Sequence, residues 1–193
     1  MPTSDSQTAN RIDPLEAVAA RPDGAPRFGE VFAAHAGPLL QLLRRLGVRE
    51  ADLEDVAQEV FVVVHAQLSA FEGRSSLKTW IFGIALRKAS EYRRRAHRRR
   101  ERLSPEALES QAAPPEQLTG LERDERAAQL SAALAQLPEK QLQVFVLYEV
   151  EELPMLEVAR AVGCPRFTAY TRLASARRAL RKHFRRASRE EKP

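Results

Sequence analysis

Residues 71–102 read FEGRSSLKTWIFGIALRKASEYRRRAHRRRER and set the organisation of the chain. The two serines of the turn at residues 73–76 predict a helix N-cap, because their hydroxyls can accept hydrogen bonds from free backbone N–H groups. From Leu77 onward no proline occurs before Pro105, and apolar side chains recur at helical spacing. These side chains are Leu77, Trp80, Ile81 and Ile84. The pattern predicts one long helix.

The second half of this helix is strongly basic. From Arg87 to Arg102, nine of sixteen residues are Arg or Lys, against two acids, Glu91 and Glu101. A row of arginines neutralises phosphates, and an aromatic side chain such as Trp80 stacks on unpaired bases, so the helix is predicted to bind nucleic acid. The alternative is a solvated basic face on a structural helix. Like charges at this density repel each other unless a polyanion is near, which favours the first interpretation.

The composition favours a helical protein with an anionic partner. The 193 residues allow one large domain or two small ones, and 44% apolar with only 6% aromatic residues suits helical bundles better than sheets. The formal net charge is +5. The single cysteine, Cys164, excludes an internal disulfide, and the four histidines stand apart, so no metal site is predicted. No apolar run has the length of a membrane span and no signal-peptide pattern occurs, so a cytoplasmic protein without membrane insertion is predicted.

The part of the chain before residue 71 predicts a flexible leader and two helices. Residues 1–26 are polar and rich in Pro, Ser and Asp, and they hold too little apolar surface to order themselves. One helix is expected from about Phe28 to Leu46, kinked or split at Pro38. The next is expected from about Glu50 to Leu68 and has an apolar stripe typical of a core face. The stripe consists of Leu53, Val56, Ala57, Val60, Phe61, Val64 and Leu68.

The opposite side of the helix at 50–68 mixes acidic, polar and apolar side chains. It carries Asp52, Asp55, Gln58, Glu59, Val62 and Val63. A purely solvated face would not include two adjacent valines, so this face indicates a docking surface for a basic, partly apolar partner. The spacing is equally compatible with both valines packing on a neighbouring helix.

A composition break predicts a second domain. Residues 103–120 hold Pro105, Pro114 and Pro115, lack aromatic residues and are acidic where their flanks are basic, as in a flexible linker. One helix is then expected to end before Pro138, which suits the first turn of the next helix. Their apolar positions are Leu130, Ala133, Leu134 and Leu137, followed by Leu142, Phe145, Val146 and Val150.

Residues 154–183 predict a helix-turn-helix. A short helix, Met155–Val162, ends at Gly163, and a second, basic helix runs from about Arg166 to His183. In this motif the second helix enters the major groove of DNA. The expected packing joins Val158, Ala159 and Val162 to Ala169, Leu173 and Ala176. An ordinary helical hairpin is the alternative, but it leaves unexplained the side chains opposite or flanking Leu173, which are Phe167, Tyr170, Thr171, Arg172, Arg177 and Arg178.

No pattern in the sequence predicts catalysis. The chain has no Gly-rich phosphate loop, no paired carboxylates in an aromatic setting, and no Ser or Cys accompanied by a base. We therefore predict no enzyme active site and no cofactor.

Three motifs, in order, resemble a bacterial RNA polymerase σ factor of the σ70 family, in its two-domain extracytoplasmic-function (ECF) group. They are DLEDVAQEVFVVVHAQLSAF, SSLKTWIFGIA and, after the linker, LPEKQLQVFVLYEVEELPMLEVARAVGCPRFTAYTRLASARRAL. The resemblance covers about Phe28 to Arg181. It implies an all-α fold of two small helical domains joined by a flexible linker, the second containing the helix-turn-helix. It also implies an alternative σ factor that binds core polymerase and directs promoter-specific initiation.

The resemblance implies partners and residues for each motif. The segment at 55–61 resembles the polymerase-binding motif that docks on the β′ clamp helices, and the second domain would contact the β flap. Residues 71–84 resemble the segment that melts the −10 element, and residues 154–173 the helix-turn-helix that reads the −35 element. The implied core-polymerase contacts are Asp55, Gln58, Glu59, Val62 and Val63. The −10 contacts are Phe71, Arg74, Lys78, Thr79, Trp80, Arg87 and Lys88. The −35 contacts are Arg166, Phe167, Thr168, Tyr170, Thr171, Arg172, Arg177 and Arg178. The family also implies an anti-σ factor that covers these faces.

Two places depart from the family's usual pattern. Gly83 and Arg87 stand where Arg and Asn are common, and residues 166–173 read RFTAYTRL where VGTVKSRL is common. Both departures concern which promoter sequence is read. The predicted boundaries are a leader at 1–26, a σ2-like domain at 27–102, a linker at 103–120, a σ4-like domain at 121–187 and a tail at 188–193.

Two other functions remain open from the residues alone. A helix-turn-helix repressor or activator would use the first domain for dimerisation and would bind its site without polymerase. An RNA-binding protein would use the arginine-rich helix but would leave the helix-turn-helix unexplained.

Overall fold

A computed structural model describes residues 27–102 and 129–190, and every regular element within these two ranges is helical. The first range holds α1 (Phe28–Arg45), α2 (Leu53–Gln67) and α3 (Leu77–Arg102), with 3₁₀ turns at Glu50–Asp52 and Leu68–Ala70. The second holds α4 (129–135), α5 (Glu139–Phe145), a π-helical turn at Val146–Val150, α6 (Met155–Val162) and α7 (Arg166–Glu190). The predicted all-α class is confirmed. The predicted leader at 1–26 and linker at 103–120 lie outside the described residues.

The first domain is a bundle in which α1, α2 and α3 all contact one another. All seven residues of the predicted stripe are buried, six on α2 and Leu68 on the 3₁₀ turn that follows it, which confirms that face as core. Ile81, Phe82 and Ile84 of α3 are buried with them. The 3.6-residue period therefore placed this core correctly, because packing one apolar face of each helix is what stabilises such bundles.

Pro38 does not split α1, so of the two predicted outcomes, a kink or a split, the split is excluded. The helix runs without interruption from Phe28 to Arg45 with the proline inside it. A proline removes one backbone hydrogen bond from the helix. Val31, Leu39, Leu42 and Leu43 lie fully buried on either side of it, and their packing holds both halves of α1 in one helix.

Ser76 caps the N-terminus of α3. Its hydroxyl oxygen accepts a hydrogen bond from the backbone N–H of Thr79 at 3.1 Å, which is the N-cap geometry expected from the serine-containing turn. The cap fixes where α3 begins and hence which of its side chains face the bundle.

The second domain contains the predicted helix-turn-helix. α6 ends at Gly163, whose φ of 64° and ψ of 46° are left-handed, a conformation that glycine adopts without steric cost. The predicted packing of the two helices is confirmed, since Val158, Ala159, Ala169, Leu173 and Ala176 are buried and Val162 packs against them. α7 extends to Glu190, beyond the predicted end at His183 and into the residues predicted as a tail.

The two domains are in contact. α3 of the first packs against α6 of the second, an arrangement that the sequence did not predict.

Candidate functional site

The predicted docking face of α2 is largely exposed, but its two valines differ. Asp55 and Gln58 are exposed, Glu59 is half-buried, and Val62 is 62% exposed. Val63 instead packs against the core. The docking interpretation therefore fits Val62, and the packing interpretation fits Val63. Sequence spacing left these two possibilities open because it does not show where α1 and α3 lie around α2.

Beside Val62 an apolar groove of about 530 Å³ runs between α1 and α2. Aromatic rings form much of the groove. The centroid of the Phe61 ring lies 4.7 Å from that of Phe32 and 6.3 Å from that of Phe28. Its walls are Phe28, Phe32, Ala36, Leu40, Glu54, Ala57, Gln58, Phe61, Val62 and His65. An exposed apolar groove with polar groups at its edge suits a protein partner. The sequence prediction did not include residues of α1 in this surface. A signal was present, because Val31 and Phe32 are adjacent on a helix and cannot both face the same core.

Glu59 links the docking face to the basic helix. Its carboxylate lies 3.0 Å from Nη2 of Arg95 and 3.4 Å from Nζ of Lys88. Glu59, one of the predicted core-polymerase contacts, is therefore already paired with two cations of α3. Asp55 has no ion pair among the contacts of the described residues.

The predicted −10 contacts fall into four environments, and the fourth, that of Lys78, is the contact between the domains. The rings of Phe71 and Trp80 lie together, with centroids 5.2 Å apart and planes tilted by 46°. Arg74 and Arg87 are exposed and Lys88 is half-buried. Thr79 is 1% exposed, and its hydroxyl is hydrogen-bonded to that of Ser76 at 2.8 Å. Thr79 therefore belongs to the helix cap in this conformation, a position that helical spacing alone did not reveal.

Lys78 lies at the contact between the domains. Its ammonium is 5.5 Å from the centroid of the Phe82 ring and 3.8 Å from a carboxylate oxygen of Glu151 in the second domain. Further along α3, cationic side chains are exposed at Arg94, Arg95, Arg98 and Arg99. The cationic surface of α3 therefore extends for more than two helical turns beyond the interdomain contact.

A hydrogen-bonded cluster anchors the middle of α3 to the turn before α2. The Tyr92 hydroxyl donates to Asp52 Oδ2 at 2.6 Å, and Arg49 Nε donates to the same oxygen at 2.9 Å. These bonds, first that from Tyr92, lower the pKa of Asp52 below its usual range. Burial, followed by the bond to Asp52, raises the pKa of Tyr92. The cluster thus stabilises α3 while Asp52 is ionised and Tyr92 is protonated.

We expect Tyr92→Phe to destabilise the first domain by about 1–2 kcal/mol at neutral pH, because it removes a hydrogen bond to a charged group. A carboxyl whose folded-state pKa is depressed contributes stability above its unfolded pKa, and that contribution is lost as pH falls through the folded pKa. The difference between the variant and the parent chain should therefore shrink below about pH 4. Urea unfolding followed by fluorescence of the single tryptophan, Trp80, measures it.

Tyr148→Phe in the second domain is the matched control for this measurement. Tyr148 is half-buried and lies under the Arg177 guanidinium at 5.9 Å. A Tyr92→Phe penalty that stays constant from neutral to acid pH would contradict the assigned role of Asp52.

The second helix of the helix-turn-helix exposes most of the predicted −35 contacts. Phe167 is 80% and Tyr170 is 47% exposed, an unusual placement for aromatic side chains unless they meet a partner. Arg166, Thr171 and Arg178 are exposed, while Thr168 and Arg172 are half-buried. The Thr171 hydroxyl bonds back to the carbonyl oxygens of the preceding turn, at 2.8 and 3.0 Å. The aromatic pair thus forms the prominent feature of this face.

Arg177, unlike the other predicted −35 contacts, forms an ion pair within the described residues of the second domain. It lies 2.6 Å from the Glu149 carboxylate and over the Tyr148 ring. It borders a second apolar groove with a basic rim. The groove is lined by Leu130, Phe145, Glu149, Arg177, Leu180, Arg181, Phe184 and Arg185. The structure therefore places Arg177 at the edge of this groove, where its guanidinium is paired with Glu149.

Among residues 27–102 and 129–190, no helix is long and apolar enough to cross a membrane. Within the same ranges, no group of three or more His, Cys, Asp or Glu side chains is arranged to hold a metal ion.

Comparison with protein families resolves which class of helix-turn-helix protein this is. Residues 31–99 match the family described as Sigma-70 region 2, and residues 127–180 match Sigma-70, region 4. The first match contains α2 and most of α3, and the second contains the helix-turn-helix. The chain belongs to the σ70 family. A repressor would explain only the second match, whereas both regions in this order are characteristic of a σ factor.

Curated relatives place this σ factor in the ECF group. It is 25% identical over 172 residues to the ECF RNA polymerase sigma factor SigW of Bacillus subtilis, covering 82% of this chain and 89% of that protein. It is 28% identical over 143 residues to the ECF RNA polymerase sigma-E factor of Escherichia coli, covering 69% and 74%. It is an alternative σ factor that directs transcription initiation.

Solved structures agree with this fold. CnrH, in complex with the cytosolic domain of CnrY, matches with a TM-score of 0.60 and 25% identity, over 80% of this chain and 85% of that one. The σ factor RpoE of Bartonella quintana, in complex with the anti-σ factor NepR, matches with a TM-score of 0.62 and 20% identity, over 82% and 96%. The second likeness concerns the fold alone.

Proposed function

We propose that this σ factor binds core RNA polymerase through the exposed face of α2 and its adjoining groove, opens the −10 region with the start of α3, and reads the −35 region with the start of α7. The observation that carries the proposal is the separation of three exposed surfaces of different chemistry on one chain. Asp55 and Val62 form an acidic and apolar surface, α3 a cationic one, and Phe167 with Tyr170 an aromatic one.

Each surface suits its proposed partner. Exposed acids beside an apolar groove fit a basic and apolar protein surface, assigned here to the β′ clamp helices. The second groove, with its basic rim, fits an acidic and apolar protein element, assigned here to the β flap. Cationic side chains on α3 neutralise phosphates, and side chains early on the second helix of a helix-turn-helix contact base edges. The chain would act by recognition in the cytoplasm, without a reaction or cofactor of its own.

An anti-σ factor is proposed as a further partner. The solved structures of CnrH and of the Bartonella σ factor each contain a bound partner, named in the second case as an anti-σ factor. A protein that covered the groove between α1 and α2 would compete with core polymerase for Phe32 and Val62. Such competition would keep the σ factor inactive without changing its fold.

Run-off transcription tests the proposed function. Purified core polymerase and the full chain are incubated with sheared genomic DNA of the source organism, and the 5′ ends of the transcripts are sequenced. We expect transcripts that share −10 and −35 elements and that are absent without the chain. Tight, sequence-specific DNA binding by the chain alone, with no stimulation of core enzyme on any fragment, would instead support a repressor.

We expect replacement of Phe167 and Tyr170 by alanine to change which −35 sequences are used. Contacts to base edges discriminate between bases by about 1–3 kcal/mol each, so preferred promoters should lose about 10-fold to 100-fold in initiation rate. Core binding should be unchanged, because both residues lie far in sequence from α2 and on another domain. Transcription from a library of randomised −35 elements measures the preference.

Arg178→Ala is the matched comparison for that experiment. It is exposed further along α7, where a phosphate contact would weaken binding to all sequences alike and reduce the salt dependence. An unchanged −35 preference in the Phe167 and Tyr170 double variant would assign the reading of bases to other side chains.

A further inference from the structure

The groove between α1 and α2 begins close to the point where the leader, residues 1–26, joins α1. Phe28, at the start of α1, forms part of its wall, and the groove continues along this helix to Leu40. At 1.5 Å per residue, that stretch of α1 is about 18 Å long. Phe32 on the stretch is 47% exposed, and Val62 on α2 is 62% exposed. Covering such a surface with an apolar segment removes it from water and is therefore favourable.

The leader contains one short apolar segment, directly before this groove. Residues 12–20 read IDPLEAVAA, and six of these nine side chains are apolar. The preceding residues, 1–11, include only two apolar side chains, and residues 21–26 include one. A nine-residue segment is too short to be stable as an isolated helix. It is long enough to cover an apolar surface that another part of the chain already presents.

The pattern of this segment predicts a short amphipathic helix when it is bound. Asp13 is a favourable N-cap residue, Pro14 suits the first helical position, and Glu16 stands three residues after Asp13, as in a capping box. Leu15 and Val18 are three residues apart and so lie on the same face of such a helix. An amphipathic helix that lays its apolar face in an apolar groove is a recurring mode of recognition.

The residues between this segment and α1 predict a reversal of the chain. Residues 21–25 read RPDGA, a pattern that favours a tight turn because proline fixes its φ and glycine accepts a positive φ. The six residues 21–26 have a length that is usual for the connection between two antiparallel helices. They span at most about 20 Å when extended, so they hold the segment close to the groove at a high effective concentration.

We propose that residues 12–20 of this chain occupy the groove between α1 and α2, as a helix antiparallel to α1 with Leu15 and Val18 against Phe32 and Val62. The docked segment covers part of the surface assigned to core polymerase, which must displace it in order to bind. The displacement rests on the proposed function, whereas the docking does not. A groove that is filled for about nine-tenths of the time binds a competing partner about tenfold more weakly.

Photocrosslinking within the full chain tests the docking. Leu15→p-benzoylphenylalanine places a photoreactive group on the proposed apolar face, and the crosslinked peptides are identified by mass spectrometry after irradiation in dilute solution. We expect crosslinks within one chain to residues 28–40 and 57–65. The same group at Ser4, in the polar part of the leader, is the control and should show no such preference. Crosslinks from position 15 that are spread like those from position 4 would overturn the docking, and so would crosslinks that join two chains, since a second copy would then fill the groove.

A pair of charge-matched variants tests the displacement. Leu15→Asp combined with Val18→Asp removes the apolar face of the segment, and Ser4→Asp combined with Ser6→Asp makes the same change in net charge outside it. Competition for purified core polymerase measures the affinity of each full-length variant. We expect the first pair to bind about tenfold more tightly than the parent chain, and the second pair to bind as the parent does.

The two measurements separate the docking from the displacement and from the proposed function. Crosslinks to the groove with equal affinities of the two pairs for core polymerase would overturn the displacement. Crosslinking uses no polymerase, so failure of the run-off experiment leaves the docking to be judged by the crosslinks themselves.

Discussion

Reversing Asp55 and Glu59 to lysine is expected to weaken binding to core polymerase by roughly 3–6 kcal/mol, through the loss of two charge-assisted contacts. This corresponds to at least about a 100-fold rise in the dissociation constant. The physical reason is the arrangement of α2. Asp55 is exposed at one edge of its outer face, and Glu59 follows one helical turn later beside exposed Val62. Competition between labelled and unlabelled chain for purified core enzyme measures the change.

The two acids differ in their surroundings, so the single variants are informative. Glu59→Lys would also place a cation against Lys88 and Arg95, which now pair with this carboxylate. Asp55→Lys disturbs no ion pair within the described ranges and should account for about half of the loss while helix content stays the same. Glu152→Lys supplies the charge-matched control on the second domain. Unaltered affinity of the double variant for core enzyme would remove the docking assignment.

Local pattern was sufficient to predict the elements themselves. The stripe from Leu53 to Leu68 placed the core face of α2, and Gly163 placed the corner between α6 and α7. Both depend on interactions within one or two turns of chain, which repeat with the helical period or follow from one residue's backbone freedom. The serine cap of α3 is predictable for the same reason.

Contacts between distant residues decided what the sequence did not predict. Glu59 meets Arg95, Arg177 meets Glu149, and Lys78 meets Glu151 only because helices pack side by side. Their partners lie 36, 28 and 73 positions away, distances at which no helical or strand period operates. The same limit applies to Pro38, where tertiary packing outweighs the local preference of one residue.

Trp80→Ala is expected to impair strand opening more than it impairs closed-complex formation. Base stacking on an aromatic side chain contributes about 1–3 kcal/mol per base, so loss of the indole should slow opening by about 10-fold to 100-fold. Trp80 is half-buried and lies against Phe71, with ring centroids 5.2 Å apart. One side of the indole therefore packs on the bundle while part of its surface stays accessible to an unpaired base.

That placement also predicts a cost in stability, and the two effects must be measured separately. Replacing a fully buried aromatic side chain with alanine lowers the free energy of unfolding by about 3–5 kcal/mol. For half-buried Trp80 we expect a smaller loss, about 2–3 kcal/mol, because folding removes less of its apolar surface from water. Permanganate footprinting follows the opened thymines, and a thermal melt followed by circular dichroism gives the stability. Trp80→Phe is the control because it keeps an aromatic ring against Phe71.

Two outcomes decide the role of Trp80. If Trp80→Ala lowers the melting temperature but leaves unchanged the fraction of promoter complexes that open, Trp80 acts through packing alone. If Trp80→Phe restores opening at a temperature where both variants are folded, the aromatic face itself is what the unpaired base requires.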